Sequence, residues 1–245
     1  MRYFIECAYL GTQYAGWQIQ PNALTVQEEI EKALTTLLKE PTSLTGSSRT
    51  DAGVHAYTQV AQFDRKNPIS DINQLVYRLN KILSKNITIK RIYEVPEDYH
   101  CRFEATYRKY EYRILTRKSP FYQNMAYQFE MPLDLNKMNE AAQILFEYED
   151  FECFSKLHTD VKTFNCTIMQ AEWKQESSDL LVFHIKANRF LRGMVRAIVG
   201  TLLEVGLGKL SLEGFEKIIT DKNRQNAGRS VPAQGLFLME VNYDL

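Results

Sequence analysis

The order in which the hydrophobic period switches along residues 3–95 limits this chain to few folds. Tyr3–Tyr9 is an aromatic and apolar run of strand length,. A glycine- and amide-rich loop follows to Asn22, and Thr25-x-x-Glu28 then forms a capping box ahead of Val26, Ile30, Ala33, Leu34, Leu37 and Leu38 at helical spacing,. A short strand is expected near Ser43–Ser47 and another over Gln59–Phe63. Asp71 is placed to cap a second helix that buries Ile72, Leu75, Val76, Leu79, Ile82 and Leu83, and Ile87–Val95 alternates as a closing strand,. The order β-α-β-β-α-β is a split βαβ plan, one sheet with both helices on the same face.

After a linker, Pro96–Phe103, the same order nearly recurs. In Arg108–Leu115, the residues Arg108, Tyr110, Tyr112 and Ile114 share one strand face,. Asp134 or Asn136 opens a helix burying Met138, Ala142, Leu145 and Phe146. Strands over Thr167–Gln175 and Leu180–Ala187 flank a turn at Glu176–Asp179. A long helix is expected over Phe190–Val205, a shorter one from Ser211, and a last strand over Gly235–Tyr243. The expected fold is therefore α+β: two ferredoxin-like (RRM-like) halves, 1–100 and 101–245, with antiparallel sheets flanking a central cleft. No internal sequence repeat accompanies this recurrence.

Composition excludes several classes. With 30 basic and 30 acidic residues the formal charge is zero, so any nucleic-acid contact has to rest on a local basic surface,. Cys7, Cys101, Cys153 and Cys166 lie far apart without a Cys-x-x-Cys pair, which argues against a zinc site and for a reducing compartment,. The four histidines share no metal-ligand spacing. Glu6 interrupts a signal-like apolar core, and the apolar run at Ala197–Leu207 is broken by Glu204 and is short of the ~20 residues of a membrane span,. A cytoplasmic protein with no membrane association is expected.

The chemistry concentrates in Gly46–Ala56, small and polar between apolar segments. Arg49 and Asp51 stand two apart, so in an extended loop the guanidinium would face the carboxylate and keep it ionised,. An Asp in an ordinary turn is the competing reading. Arg189, Arg192 and Arg196, spaced three and four apart, would share a helix face suited to phosphate or merely to solvent,. Tyr110 by spacing alone is a sheet-face residue.

Read together, four blocks carry a resemblance. They are Gly46-x-x-Arg49-Thr50-Asp51-x-Gly53-Val54-His55, Tyr110-x-Tyr112, Met194-Val195-Arg196 with Ile198-Val199-Gly200, and Ala227–Leu238. In that order they resemble the TruA family of tRNA pseudouridine synthases. The resemblance implies that Asp51 is catalytic, that Arg196 pairs with it, that Tyr110 stacks on the target base, and that Leu236 and Leu238 wall the uracil pocket. Arg49, Arg108 and Arg192 are the further candidates for substrate binding, with Lys109 and Arg113 beside them; His55 is read as orienting the Asp loop or as packing. The implied reaction is isomerisation of uridine in the anticodon stem-loop of tRNA, at nucleotides 38 to 40, with no metal or cofactor, by a homodimer. Leu10 stands where the family usually has Asp, Asn165-Cys166 where Arg is common, and Ser230-Val231 where Thr-Ala is usual. Two other classes compete on the residues themselves. A noncatalytic RNA binder needs no acid in its cleft and would carry the RNP aromatic consensus, which is absent; a glycoside-type hydrolase uses two carboxylates, and Asp51 alone stands out.

Overall fold

The structure, a computed structural model, describes residues 1–157 and 161–244. Its contacts divide the chain into two units. One is Met1–Thr106 joined by the C-terminal segment from Phe237 onward; the other is Tyr107–Leu236.

In the first unit, β1 (Arg2–Tyr9) is followed by α1 (Val26–Leu38), β2 (Thr45–Gly46), β3 (His55–Asp64), α2 (Ile72–Ile82) and β4 (Ile87–Val95). The helices start where their caps predict. Thr25 Oγ1 accepts the Glu28 amide at 3.4 Å and Asp71 Oδ1 the Gln74 amide at 2.8 Å,. Glu28 does not complete a capping box; its carboxylate pairs with Lys32 one turn on,. The sheet runs β4-β1-β3-β2, and all these neighbours are antiparallel. Ile5, Cys7, Val26, Ile30, Leu34, Leu79 and Ile89 are among the buried residues of this unit. Ile82, expected in the stripe of α2, is 51% exposed, because the helix ends there and Leu83 turns to extended backbone.

The last strand, β9 (Leu236–Tyr243), was expected to close the second half. Instead all but its first residue belongs to the first unit, where His55 pairs with Phe237 and Ala56 with Leu238 in parallel register. Alternation identifies a strand without naming its neighbour, hence the discrepancy. The segment after β4 is held to the same unit: Gln62 Oε1 accepts the Cys101 amide at 2.7 Å, and the Tyr243 hydroxyl donates to Cys101 O at 2.6 Å.

The second unit contains β5 (Ala105–Leu115) from Tyr107 on, β6 (Tyr127–Gln128), α3 (Leu135–Ile144), β7 (Ile168–Ser177), β8 (Leu180–Ala187), α4 (Met194–Gly206) and α5 (Leu212–Asp221). β5-β8-β7 is antiparallel, and β6 runs parallel to the end of β5. The sheets are thus mostly, not wholly, antiparallel. Asp134 is the cap of α3, accepting the Lys137 amide. Asn139 then bonds both the N–H and the C=O of Trp173, fixing α3 to β7. Phe146, expected in this core, is exposed because the chain leaves α3 in a 3-10 turn that buries Leu145 instead.

Every residue of α4 except Arg196 and Glu204 is buried. Such a helix is a core element apolar nearly all round. Segment 227–232 crosses it at Gly200, where an added Cβ would overlap the Arg229 carbonyl oxygen; a Cβ on Gly228 would lie 2.7 Å from the Gly200 carbonyl carbon. The Gly228 amide donates to Thr201 Oγ1 at 2.9 Å, and Thr201 Oγ1 donates to Ala197 O at 2.8 Å. All four thiols are buried and unoxidised, and burial pushes those of Cys153 and Cys166 up to about 12 and about 11,. No helix among the described residues is long and apolar enough to cross a membrane. Gly200→Ala should destabilise the protein by about 1–3 kcal/mol, the usual cost of overpacking, read as a lowered urea midpoint. An unchanged midpoint would mean that segment 227–232 lifts off α4 at no cost.

Candidate active site

The loop around Asp51 is built by two backbone segments pressed together without side chains between them. Gly16, at φ +98°, has no space for a Cβ, which would meet Thr50 O at 2.5 Å; a Cβ on Gly11 would overlap the Val54 carbonyl, and one on Gly46 the indole of Trp17,. Across this contact Trp17 N–H donates to Thr50 O at 3.2 Å and Gly53 N–H to Tyr14 O at 3.3 Å. The Tyr9 hydroxyl and Thr50 Oγ1 share a buried hydrogen bond of 2.8 Å. The amides of Val26 and Gln27, which the start of α1 leaves unpaired within the helix, donate to Gly16 O and Trp17 O,. One end of α1 therefore fixes the 9–17 loop, which fixes residues 50–53.

The other end of the Asp loop is equally determined. Gln59, fully buried, accepts from Ser47 Oγ at 2.9 Å and donates to Ser48 O at 2.8 Å. His55, 1% exposed, accepts the Gly11 N–H at Nδ1, which puts the ring proton on Nε2, and its ring stacks on Phe237 at 4.6 Å,. Both roles offered for His55, orienting and packing, are thus the same role. Between these anchors the chain turns at Asp51, whose C=O accepts the Val54 N–H at 3.1 Å, with Gly53 at φ +81°. The Asp51 side chain is half-buried.

That turn corrects one expectation. Arg49 is exposed and, among the described residues, makes neither an ion pair nor a hydrogen bond with Asp51. The period-2 argument that aligned the two holds for an extended loop, and Asp51 begins a turn. Leu238 is buried in the same unit, one register step from His55.

The remaining candidates lie in the second unit. Arg196 is half-buried on α4; its Nε donates to Val231 O at 2.7 Å, and its own C=O accepts the Val231 N–H at 3.2 Å. Val231 is itself buried, so the Ser230-Val231 departure keeps the backbone contact that sets the guanidinium. Arg189 and Arg192 do not share a helix face with Arg196. α4 starts only at Met194, capped by Gly193 at φ +73°, and the residues before it are not helical. Arg192 is exposed and its C=O accepts the Lys156 N–H. Tyr110 is 8% exposed with its ring edge-on to Phe190 at 5.1 Å. Arg108 is buried, with Nη1 donating to Asn188 O at 2.9 Å, so it is no exposed phosphate ligand; the alternation that grouped it with Tyr110 and Ile114 is an inward-facing one. Arg113 pairs with Glu111. Leu236 is buried at the end of this unit.

Sequence reasoning passed over Tyr9, Trp17, Gln59 and Thr50 as contributors to the loop. One signal for the aromatics existed: the glycines at 11 and 16 stand among the large rings of Tyr9, Tyr14 and Trp17,. Among the described residues no three His, Cys, Asp or Glu side chains are arranged to hold a metal ion, and His158 lies outside those residues. His55→Phe keeps a ring against Phe237 and removes the acceptor of a buried N–H. A loss of about 1–3 kcal/mol in unfolding free energy is expected, whereas unchanged stability would mean that the Gly11 amide finds another partner.

Comparison with known proteins identifies the family. A family model described as tRNA pseudouridine synthase matches residues 7–104 and 141–244, which include Asp51, Tyr9, Trp17, His55, Arg196 and Leu238. The chain is 54% identical over 242 residues to tRNA pseudouridine synthase A of Bacteroides fragilis, covering 99% of this chain and 96% of that protein. It is 52% identical to the protein of the same name from Parabacteroides distasonis, with the same coverage of each. The Chlorobaculum tepidum tRNA pseudouridine synthase A is 39% identical over 240 residues, 98% of this chain and 96% of its own length. Matched over nearly its whole length at about half identity, the chain belongs to the TruA family of tRNA pseudouridine synthases.

Proposed function

We propose that this enzyme acts on uridines 38 to 40 of the tRNA anticodon stem-loop with Asp51 as its catalytic residue. The family's reaction, uridine to pseudouridine in tRNA, is the activity of this chain. In that reaction the C1′–N1 bond breaks, the uracil turns, C5 bonds to C1′, the C5 proton leaves and N1 gains a proton. Atoms and electrons balance without a redox partner. Asp51 would act as a carboxylate either way, by attacking C1′ or by removing the 2′ proton to give a glycal.

The observation that carries this reading is the immobilised backbone around Asp51. Thr50 O, Asp51 O and Gly53 N–H are all bonded within the first unit, so a half-buried carboxylate is held by its main chain. That is the preorganisation a single-acid mechanism needs. From the resemblance, Arg196 is the cation that would stabilise Asp51 as an anion, and its bonds to Val231 fix the guanidinium plane. Tyr110 would stack on the base, and Leu236 and Leu238 would form the apolar wall of the uracil pocket. Flipping the uridine out of its stem costs about a few kcal/mol, offset by that stacking and by phosphate contacts from exposed cations such as Arg49 and Arg192.

The strand order β4-β1-β3-β2, interleaved with α1 and α2, supports a ferredoxin-like plan for the first unit, and β5-β8-β7 follows three strands of the same plan. We place the enzyme in the cytoplasm as a homodimer with tRNA across both subunits, on the resemblance alone. Asp51→Asn should abolish tritium release from tRNA labelled at uridine C5 while leaving tRNA binding and the unfolding midpoint unchanged, with wild-type product mapping to nucleotides 38 to 40. Release at the wild-type rate by the variant would remove Asp51 from the chemistry, and product elsewhere in the tRNA would refute the nucleotide assignment.

A further inference from the structure

A chain of zero formal charge that binds a polyanion must gather its cations, and one segment does so. Residues 72–93 contain Arg78, Lys81, Lys85, Lys90 and Arg91 without a single Asp or Glu. At the chain's average acid content a stretch of that length would hold two or three. Arg91 is paired with Glu6, and Lys90 reaches Thr58 Oγ1. Arg78, Lys81 and Lys85 are exposed and, among the described residues, form no ion pair. By contrast Lys32, Lys174 and Lys222 each have a carboxylate partner.

Arg78 and Lys81 are three apart on α2 and so lie on one side of the helix, and Lys85 follows in the turn just beyond its end. Tyr77, 57% exposed, lies under Lys81, with the ammonium 5.3 Å from the ring centroid,. An exposed aromatic beside unneutralised cations is the composition of a nucleic-acid contact. Stabilisation of the helix C-terminus accounts for Lys81 but not for Arg78, a turn earlier, or Lys85, outside the helix.

This face also leads to the Asp51 loop through bonds within the same unit. Asn86, next to Lys85, accepts the Leu10 N–H at its C=O, and its Nδ2 donates to Gln13. The nearby carboxylate of Glu29 is occupied by the Tyr14 hydroxyl and the Ser84 amide. Leu10 itself adds no acid to this rim.

We propose that Tyr77, Arg78 and Lys81 of α2, with Lys85 in the turn that follows it, form a binding surface for the phosphate backbone of the tRNA, a second contact beside the one made at the uridine. This rests on tRNA being the substrate. Each phosphate contact contributes about 0.7–0.9 to the slope of log affinity against log salt. The triple variant Arg78→Gln, Lys81→Gln, Lys85→Gln should therefore flatten that slope by about 2–3 for full-length tRNA. It should raise KM severalfold, leave kcat at saturating tRNA near wild type and keep the unfolding midpoint. The charge-matched variant Lys137→Gln, Lys209→Gln, Lys217→Gln, on α3, the α4–α5 turn and α5 of the second unit, should leave the slope nearly intact. A triple variant with wild-type slope and KM would overturn the proposal, and so would an equal flattening by the charge-matched variant, which would mark the effect as net charge. A wild-type protein that forms no pseudouridine in any tRNA would instead overturn the substrate reading on which the surface depends.

Discussion

The backbone of residues 11–16 lies directly on the backbone of residues 50–54, and the rest of the first unit is arranged so that nothing separates them. Glycine is required at 11 by distance and at 16 by both distance and dihedral angle, since a methyl group at either would displace a carbonyl of the facing loop,. Main-chain contacts of this kind do not depend on rotamers. The aromatic rings of Tyr9 and Trp17 close the sides of the contact, and α1 anchors it with its first amides. The main chain of Asp51 is consequently placed by helix and sheet even though it sits in a turn. Its position costs the loop little further entropy, because the main chain around it is already ordered.

The second unit uses the same device for a different residue. Segment 227–232 lies on α4 at a glycine pair, Gly200 and Gly228, and Arg196 one turn earlier bonds Val231 through both main chain and side chain. The guanidinium of Arg224 reaches the carbonyls of Ala227 and Gly228 and the hydroxyl of Ser230, so the crossing segment is held from its outer side as well. A helix buried on nearly every side cannot rotate to re-aim one polar residue, which makes α4 a rigid mount. What the helix needs from residue 231 is its N–H and C=O.

Local rules were readable where local forces decide. Thr25, Asp71, Asp134 and Ser211 each cap the helix that spacing assigned to them, because a cap satisfies an amide three residues away and involves no partner from elsewhere,. The chain-ordered motifs and the identity of Asp51 came from resemblance, and periodicity alone left Asp51 as a turn residue. Failures fall where a decision is made at a distance. Ile82 and Phe146 fit their helical stripes and are exposed because each helix stops before the stripe does. Gly193 in the left-handed region ended the pattern that had placed Arg189 and Arg192 on α4. The partner of β9 is set by packing between segments some 180 residues apart in sequence, and alternation carries no information about it.

Neutral overall composition conceals how the charge is used. Most cations outside the α2 segment that form ion pairs do so close by in the fold, as with Arg2 and Asp64, Arg65 and Glu40, or Lys222 and Asp150. Whatever such pairs contribute to stability, they remove the cation from the long-range field. What remains is contributed by residues without a carboxylate neighbour, and a few of them concentrated in one segment outweigh a larger number that are paired. The field felt by an approaching phosphate backbone is then set by where acids are missing, a property of the 72–93 segment that a count of lysines and arginines over the whole chain cannot reveal,.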